Sequence, residues 1–223
     1  MADFDSTPLI SLRALLDAIA ARDTRECLRL LAESPSLATR QYVTDARGEA
    51  AHSDFFPAIH HYAYAGDTAL HFAGAAYSVD LAAALIAMGA SPRARNRRGA
   101  EPLHYACDGD PASSYWNPAA QYAVIECLIA AGADTEVVDA SGVAPLHRAV
   151  RTRCASAVRA LLRNGADPRR RNGNGSTPLD LAGRNTGRGG TGSAMARAQQ
   201  AEIVELLLAH SGQRDGDSPR LRE

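Results

Sequence analysis

The sequence predicts an all-α fold in which short helix pairs stack into a solenoid, and three observations support this prediction. First, a six-residue motif recurs four times, with copies that start 33, 43 and 33 residues apart. Second, each copy is followed by an apolar, helix-like stretch that ends in a glycine-containing pair. Third, 46% of the residues are hydrophobic whereas 5% are aromatic, so small and aliphatic side chains must form the core. A period of this length is typical of repeat architectures.

The four copies of the motif share an internal leucine and an alanine one turn later. They are TALHFA at residues 68–73, EPLHYA at 101–106, APLHRA at 144–149 and TPLDLA at 177–182. Proline at the second position suits the first turn of a helix, where it loses no hydrogen bond. Glycine tolerates the left-handed cap that ends a helix, so four pairs predict where the second helices end: Gly-Ala at 89–90, 132–133 and 165–166, and Ser-Gly at 211–212.

At these residues the chain resembles the ankyrin repeat, whose unit is a turn, a short helix that opens with this motif, and a second helix that ends in Gly-Ala. The resemblance covers residues 66–212, about two-thirds of the chain. It implies about five repeats joined by short hairpin-like turns. It also implies that the motif histidines, His71, His104 and His147, tie adjacent repeats together by hydrogen bonds.

The chain divides into four expected segments. Residues 1–39 are expected to form a degenerate N-terminal helix-pair cap repeat, because an apolar stripe runs from Leu12 to Ile19 and the end of a solenoid has one face in water. Residues 40–65 are expected to be an enlarged connecting loop, and residues 66–212 to hold four ankyrin repeats. The charged residues 213–223 are expected to be a disordered tail.

Departures from the repeat are the places where recognition is expected, because a rigid scaffold presents binding residues on its loops. The 43-residue spacing implies an insertion near residues 110–119, and a second, glycine-rich insertion lies near 186–198. Both fall between the two helices of a repeat, so we expect them on the same side of the solenoid. The connecting loop at 40–65 carries a large share of the aromatic and histidine residues: Phe55, Phe56, His60, His61, Tyr62 and Tyr64.

Composition and charge exclude several classes of function. The formal net charge is −1 and all 24 basic residues are arginine, so no global field attracts nucleic acid, which is not expected as a partner. The longest hydrophobic run, residues 81–88, is too short to span a membrane, and the amino-terminal residues do not resemble a secretory signal. Four widely spaced cysteines predict neither disulfides nor a zinc site, so a cytoplasmic location is expected.

The resemblance implies a protein–protein interaction module that binds another protein along the concave face and the inter-helix loops. Aromatic residues and arginine carry much of the energy in such interfaces, which selects the candidate contact residues. On the inner helices these are Phe72, Tyr105, Arg148 and Arg151, and at the rim they are Tyr77, Trp116 and Arg153. The sequence predicts no catalytic residue, cofactor or metal, and it favours a binding protein over an enzyme.

The alternative function is a small-molecule or anion-binding pocket, or an enzymatic site, between the inserted loops. It depends on arginines that repeats three and four would place close together: Arg148, Arg151, Arg153, Arg184 and Arg188. Clustered like charges favour an anion, and Asp108 could pair with Arg151 and leave Arg184 available. The other interpretation is that these arginines are solvated or paired with Asp108 and Asp180.

Three further features receive structural interpretations. His60 and His61 are assigned to the core or to a loop rather than to a ligand site. The glycine-rich residues 187–192 lack the strand and the lysine of a phosphate-binding loop, so they are interpreted as a flexible loop. Cys154 could have a lowered pKa beside Arg153, but the sequence shows no partner histidine within reach, and the thiol is interpreted as inert.

Overall fold

The computed structural model describes residues 11–43, 55–184 and 193–216, which form helix pairs joined by short turns. The helices in these ranges are α1 Leu12–Ala20, α2 Thr24–Glu33, α3 Ala69–Ala75, α4 Val79–Ala87, α5 Pro102–Ala106, α6 Pro118–Ala130, α7 Pro145–Arg151, α8 Ala155–Arg163, α9 Pro178–Ala182 and α10 Ala194–Gly216. A 3-10 helix covers Pro35–Ala38, and two short strands, β1 Phe55–Phe56 and β2 His61–Tyr62, pair antiparallel. The all-α fold class is confirmed.

The inner helices begin where the motif predicts them. The helices α3, α5, α7 and α9 start at Ala69, Pro102, Pro145 and Pro178, the second motif position in every copy. Each inner helix packs against the next, and the outer helices α4, α6, α8 and α10 form a second layer in the same order. The motif leucines of the first three copies are buried between these layers: Leu70, Leu103 and Leu146.

The amino-terminal helix pair is capped by side chains at both of its helix starts. Ser11 Oγ accepts a hydrogen bond from Ala14 N at 3.2 Å before α1, and Asp23 Oδ1 accepts one from Glu26 N at 2.9 Å before α2. These bonds satisfy amide groups that have no partner within the helix. The apolar stripe of α1 is buried, and α1 packs against α3 of the first motif-bearing repeat.

The three motif histidines connect adjacent repeats, which confirms the role that the resemblance implies. His71 Nδ1 accepts a hydrogen bond from Thr68 N at 3.1 Å, and Nε2 donates to the Ala100 carbonyl of the next repeat at 3.1 Å. Both contacts are satisfied by a neutral imidazole that carries its proton on Nε2. His104 Nε2 donates to the equivalent carbonyl, Val143 O, at 3.0 Å, whereas His147 Nε2 donates at 3.0 Å to Arg170 O, which lies earlier in its turn.

A second set of contacts between repeats comes from the turn inside three of the helix pairs. Arg22, Tyr77 and Arg153 have φ values of 57°, 57° and 64°, a left-handed conformation that is uncommon outside glycine. Their side chains reach the carboxyl end of the inner helix in the next repeat, where carbonyl groups lack intrahelical donors. The bonds are Arg22 Nε to Ala76 O at 3.4 Å, Tyr77 Oη to Asp108 O at 2.7 Å, Arg153 Nη1 to Ala182 O at 2.8 Å, and Arg153 Nη2 to Arg184 O at 2.5 Å.

Short hairpin-like turns connect the repeats. In the first, Asn96 N donates to Ala100 O at 3.1 Å, and Asn96 Oδ1 accepts hydrogen bonds from the backbone nitrogens of Arg98 and Ala100. Gly99 has a φ of 70° and lies so close to the next turn that an added Cβ would be 3.0 Å from Ala140 N. The same backbone bond closes the turns at 139–143 and 172–176.

The β1–β2 hairpin lies against the inner helices α3 and α5. Phe56 and His61 are paired across the two strands. The Phe56 ring packs edge-on against Phe72 of α3 at a centroid distance of 4.8 Å, and His61 stacks on Tyr105 of α5 at 4.8 Å with an interplanar angle of 16°. The aromatic residues of the 40–65 segment therefore cover part of the inner-helix surface, instead of standing free on a loop.

The described residues contain no disulfide bond and no helix that could span a membrane. All four cysteines are free thiols, and three of them are buried in the helical core. None of the helices in the described ranges combines the length and the apolar character needed to cross a bilayer.

Candidate functional site

The hairpin, the inner helices and the insertion after α5 enclose a cavity of about 730 Å³. This volume lies within the range of about 300–1,000 Å³ that is typical of ligand sites. Five of the seven tyrosines line it: Tyr62, Tyr64, Tyr77, Tyr105 and Tyr115. The charged lining residues are Arg98, Asp108, Asp110, Asp139, Arg148 and Arg151. The cavity combines aromatic surface with a few charged groups, and it is the candidate functional site.

An arginine held between two carboxylates forms one wall of the cavity. Arg148 Nη1 donates to Asp108 Oδ2 at 2.9 Å, and Nη2 donates to Asp139 Oδ2 at 3.1 Å. Burial alone would raise the pKa of Asp139, but backbone hydrogen bonds from Val143 and Ser141, together with Arg148, lower it. The guanidinium of Arg148 is therefore neutralised within the protein.

A buried carboxylate organises another wall. Asp67 is fully buried: its Oδ2 accepts hydrogen bonds from Tyr105 Oη at 2.8 Å and Tyr64 N at 2.7 Å, and its Oδ1 accepts one from Asn96 Nδ2 at 2.9 Å. Burial and the Asp67 carboxylate raise the pKa of Tyr105, so its hydroxyl remains a donor. Burial also lowers the pKa of His61, which is therefore a neutral imidazole at neutral pH where it stacks on Tyr105.

The insertion after α5 is anchored by one buried glutamine. Gln121 Oε1 accepts hydrogen bonds from Trp116 Nε1 at 3.0 Å and from Ser156 Oγ at 2.8 Å. Gln121 Nε2 donates to the carbonyl oxygens of Ala106 at 3.0 Å and Asp108 at 3.3 Å. The side chain thus joins the insertion to the end of α5 and to the next helix pair, which fixes the edge of the cavity.

The residue just before the insertion, Gly109, packs too tightly to carry a side chain. A Cβ added to Gly109 would lie 2.7 Å from both Cys154 Sγ and Tyr77 Oη. Glycine is needed here because contacts this short do not occur between real side chains. The close packing holds the insertion against the solenoid and places Asp110 and Tyr115 in the cavity wall.

The structure buries four of the predicted contact residues, Phe72, Tyr77, Tyr105 and Arg153, and direct contact of these side chains with a partner stays a prediction. Phe72 is fully buried beneath Phe56, and Tyr105 is 2% exposed. Arg153 is 1% exposed, and its guanidinium binds helix-end carbonyls. The motif alignment places these residues correctly along the chain. It does not foresee that the hairpin covers the inner helices or that a positive φ turns Arg153 inward.

Several of the predicted contact residues lie at or near the cavity. Tyr77, Arg148 and Arg151 line it, as does Asp108. Trp116 is half-buried beside Gln121 and does not belong to the lining. The direct contribution of these side chains to partner binding stays a prediction.

One of the clustered arginines pairs with Asp108, as the interpretation of these arginines as solvated or paired expects. It is Arg148, at 2.9 Å, whereas the anion-site alternative assigned Asp108 to Arg151. Arg184 is exposed and does not line the cavity, although its carbonyl binds Arg153. Arg188 lies outside the described residues, as do residues 187–192 of the glycine-rich insertion. Among the described arginines, the cavity wall therefore holds Arg98, Arg148 and Arg151 instead of the arginines of repeat four.

The structure describes the Cys154 thiol and the side chains that could bind a metal ion. Cys154 is fully buried, and burial raises its pKa to about 12, which agrees with an inert thiol. Across the described residues, no three His, Cys, Asp or Glu side chains are grouped so that they could hold a metal ion. His60 and His61 both line the cavity, with His60 in the tight turn between the strands at a φ of 53°.

Sequence reasoning missed three residues that build the cavity walls: Asn96, Gln121 and Asp139. Asn96 and Asp139 carry a sequence signal, because each stands five residues before a motif and caps the turn there, as Asn172 does before the fourth motif. Asp67 also carries one, because it precedes its motif where the other copies have alanine, valine or serine. Gln121 carries none, because its partners are brought together by the fold.

Comparison with known proteins agrees with this architecture. Residues 128–182 match the family model described as ankyrin repeats in many copies. No curated protein matches the chain. The stacked helix pairs, the histidine contacts and the matched region define a repeat protein of the helical solenoid class. The match at residues 128–182 supports an ankyrin-repeat assignment for this chain, and ankyrin repeats are generally protein–protein interaction modules.

Proposed function

We propose that this chain binds a partner protein along the concave face formed by its inner helices and inter-helix loops, with a segment of the partner entering the cavity. The observation that carries the proposal is that five of the seven tyrosines line one cavity. Tyrosine offers a large and rigid contact surface with a polar end, at a low cost in conformational entropy. It is also enriched among the residues that dominate binding energy.

Two of these tyrosines are available to a partner, and two others hold the wall in place. Tyr62 is 44% exposed on β2, and Tyr115 is half-buried on the insertion. The hydroxyl groups of Tyr77 and Tyr105 are already bonded within the protein. A wall that is ordered before binding reduces the entropy that the complex must lose, which favours recognition of an extended segment.

Affinity capture with a cavity variant tests this proposal. Wild-type protein and a Tyr62→Ala/Tyr115→Ala double variant are used as baits in lysate of the source cells, and captured proteins are quantified by mass spectrometry. We expect a protein that the wild type enriches to be reduced about tenfold or more with the variant, because truncating two interface tyrosines removes contact surface at the centre of the site.

A matched control separates the cavity from general loss of apolar surface. The double variant Leu28→Ala/Met88→Ala removes two exposed apolar side chains that do not line the cavity, and it should capture the same protein with unchanged yield. Equal recovery by the cavity variant and the wild type would overturn the proposed surface.

The volume of the cavity also favours a second candidate, a site for a small-molecule or anionic ligand. Thermal unfolding with small anions and nucleotides separates the two candidates, because a ligand at 100 times its Kd stabilises the protein by about 2.7 kcal/mol. A nucleotide-dependent rise in Tm that Arg151→Ala abolishes would favour the small ligand. No rise with any of them would leave the partner protein as the better candidate.

We also propose that the protein acts in a reducing compartment such as the cytoplasm. The four free cysteines support this location, since free thiols persist where glutathione and thioredoxin keep them reduced.

A further inference from the structure

We propose that the cavity takes an arginine side chain of the partner, which Asp108 binds through its unused carboxylate oxygen while tyrosine rings flank the guanidinium. This inference rests on the proposed function and names the chemistry that the cavity selects. Three observations carry it: the distribution of hydrogen bonds over the two carboxylates beside Arg148, the fixed position of Asp108, and the aromatic surface around it.

The two carboxylates that bind Arg148 differ in how much of their capacity is used. Asp139 Oδ1 accepts hydrogen bonds from Ser141 N at 2.8 Å and Val143 N at 3.1 Å, and Oδ2 accepts one from Arg148 at 3.1 Å. Asp108 Oδ2 also binds Arg148, but Asp108 Oδ1 accepts no hydrogen bond from any described residue. One guanidinium thus binds two carboxylates. Of their four oxygen atoms, Asp108 Oδ1 is the one that accepts no hydrogen bond from the described residues.

Asp108 is held in place from two sides. Its carbonyl oxygen accepts hydrogen bonds from Tyr77 Oη at 2.7 Å and from Gln121 Nε2 at 3.3 Å. Its carboxylate is fixed by Arg148 at 2.9 Å. A carboxylate that cannot rotate away binds a cation at a lower entropic cost than a mobile surface carboxylate does. Asp110, two residues further on, also lines the cavity and adds a second negative charge to this side.

Aromatic rings line the same cavity as Asp108 and Asp110. Tyr62, Tyr77 and Tyr115 all line it, and the negative face of an aromatic ring attracts a guanidinium. The protein already uses this contact beside the cavity: Arg22 lies over the Tyr115 ring at 5.7 Å, and Arg98 lies over the Tyr64 ring at 5.0 Å. A planar guanidinium can stack on a ring and donate two parallel hydrogen bonds to a carboxylate, whereas an ammonium is a point charge without a planar face.

Each of the three arginines in the wall already has a contact within the protein. Arg148 is bound by two carboxylates, and Arg98 donates to Tyr64 Oη at 2.9 Å. Arg151 is likewise engaged in a contact of its own. An anion would have to approach Asp108 and Asp110, whereas a cation meets their open oxygen atoms and the ring faces.

Short blocked peptides test the proposal on the full-length protein. The probes are acetyl-Gly-Arg-Gly-amide and the same peptide with citrulline, lysine or glutamate in place of arginine. Citrulline has the shape of arginine without its charge. Binding is measured by NMR from shifts of the backbone amides at 60–62 and 108–115 as peptide is added to about 10 mM, which detects millimolar affinity. We expect the arginine peptide to bind at least about tenfold more tightly than the citrulline and glutamate peptides, and more tightly than the lysine peptide.

Two variants localise the effect. Asp108→Asn keeps an acceptor for Arg148 but removes the charge, so it should weaken binding of the arginine peptide about tenfold while the melting temperature stays within a few degrees of the wild type. Asp80→Asn removes an exposed carboxylate on α4 that does not line the cavity, and it should leave binding unchanged. If Asp108→Asn unfolds the protein, Asp110→Asn serves as the second test, with a smaller expected loss.

The outcomes distinguish this inference from the proposed function. Equal binding of the arginine and citrulline peptides, or no shift with the arginine peptide at about 10 mM, overturns the arginine proposal. Capture of a partner that depends on Tyr62 and Tyr115 would still support the protein-binding function in that case. Tightest binding of the glutamate peptide would instead support an anion site, and it would also overturn the arginine proposal.

Discussion

At the residue scale, Arg153 shows how one backbone angle changes the role of a side chain. An arginine in the turn between two helices suggests a rim position that contacts a partner. Its φ of 64° directs the side chain into the protein, where both Nη atoms donate to carbonyls at the end of α9. A cation at the carboxyl end of a helix also meets a favourable dipole. Arg153 therefore joins repeats three and four.

Replacing Arg153 with methionine should destabilise the protein by about 3 kcal/mol, because a hydrogen bond to a charged group contributes about 1.5–3 kcal/mol and two such bonds are lost. Methionine keeps most of the buried aliphatic length, so the change isolates the polar contacts. Urea unfolding followed by circular dichroism gives the free energy of unfolding. Arg163→Met, an exposed position on the neighbouring α8, should change it by less than about 0.5 kcal/mol. Equal stability of both variants would contradict this role.

At the element scale, the insertion after α5 becomes part of the cavity wall because a single side chain fixes it. The sequence predicts the position of this insertion from the 43-residue spacing, but spacing does not predict what holds it. Gln121 is fully buried and uses both ends of its amide on the insertion and on the repeats beside it. The shape of the cavity therefore depends on a residue outside the cavity lining.

Gln121→Leu should release the insertion while the solenoid stays folded. Trp116 Nε1 would lose its acceptor, and the carbonyl of Ala106 would lose its donor, with an expected cost of about 1–3 kcal/mol. Trp116 is the single tryptophan, so a red shift of tryptophan fluorescence reports specifically on this element.

Ser156→Ala is the control for Gln121→Leu, because it removes the other hydrogen bond to Gln121 Oε1 and leaves the Trp116 contact in place. Its fluorescence should match the wild type. An unshifted spectrum in Gln121→Leu would show that the insertion is held by other contacts.

At the scale of the whole molecule, the periodic part of the fold could be predicted from sequence and the aperiodic part could not. The motif gives the first residue of the four inner helices, because proline or alanine after an extended cap residue begins a helix locally. The hairpin contacts, the Asp108–Arg148–Asp139 arrangement and the burial of Phe72 depend on residues far apart in the chain. Local sequence preferences do not encode such pairings, so the candidate site could be identified only from the folded structure.

The histidine contacts make the stability of the whole solenoid depend on pH. His71, His104 and His147 each accept an amide hydrogen bond at Nδ1, and a second proton on the ring would abolish that bond. Burial lowers the pKa of all three, and that of His104 to about 4. In a repeat protein each interface supports its neighbours, so loss at these three contacts weakens the entire array.

Acidification from pH 6.5 toward pH 5 should therefore lower the free energy of unfolding. The unfolded histidines, with a pKa near 6.5, bind protons in this range while the buried ones do not, so stability rises with pH and is lost as the pH falls. The slope is at most about 1.4 kcal/mol per pH unit for each histidine. Carboxylates with a lowered pKa, such as Asp139, contribute chiefly below this window, because their unfolded pKa is about 3.9. Urea unfolding at pH 7.5, 6.5, 5.8 and 5.0 measures the effect.

His104→Gln should be less stable at every pH yet show a shallower slope of the free energy of unfolding against pH, since one proton-binding site is removed from the unfolded chain. A free energy of unfolding that stays constant from pH 7.5 to 5.0 would contradict the neutral histidine contacts.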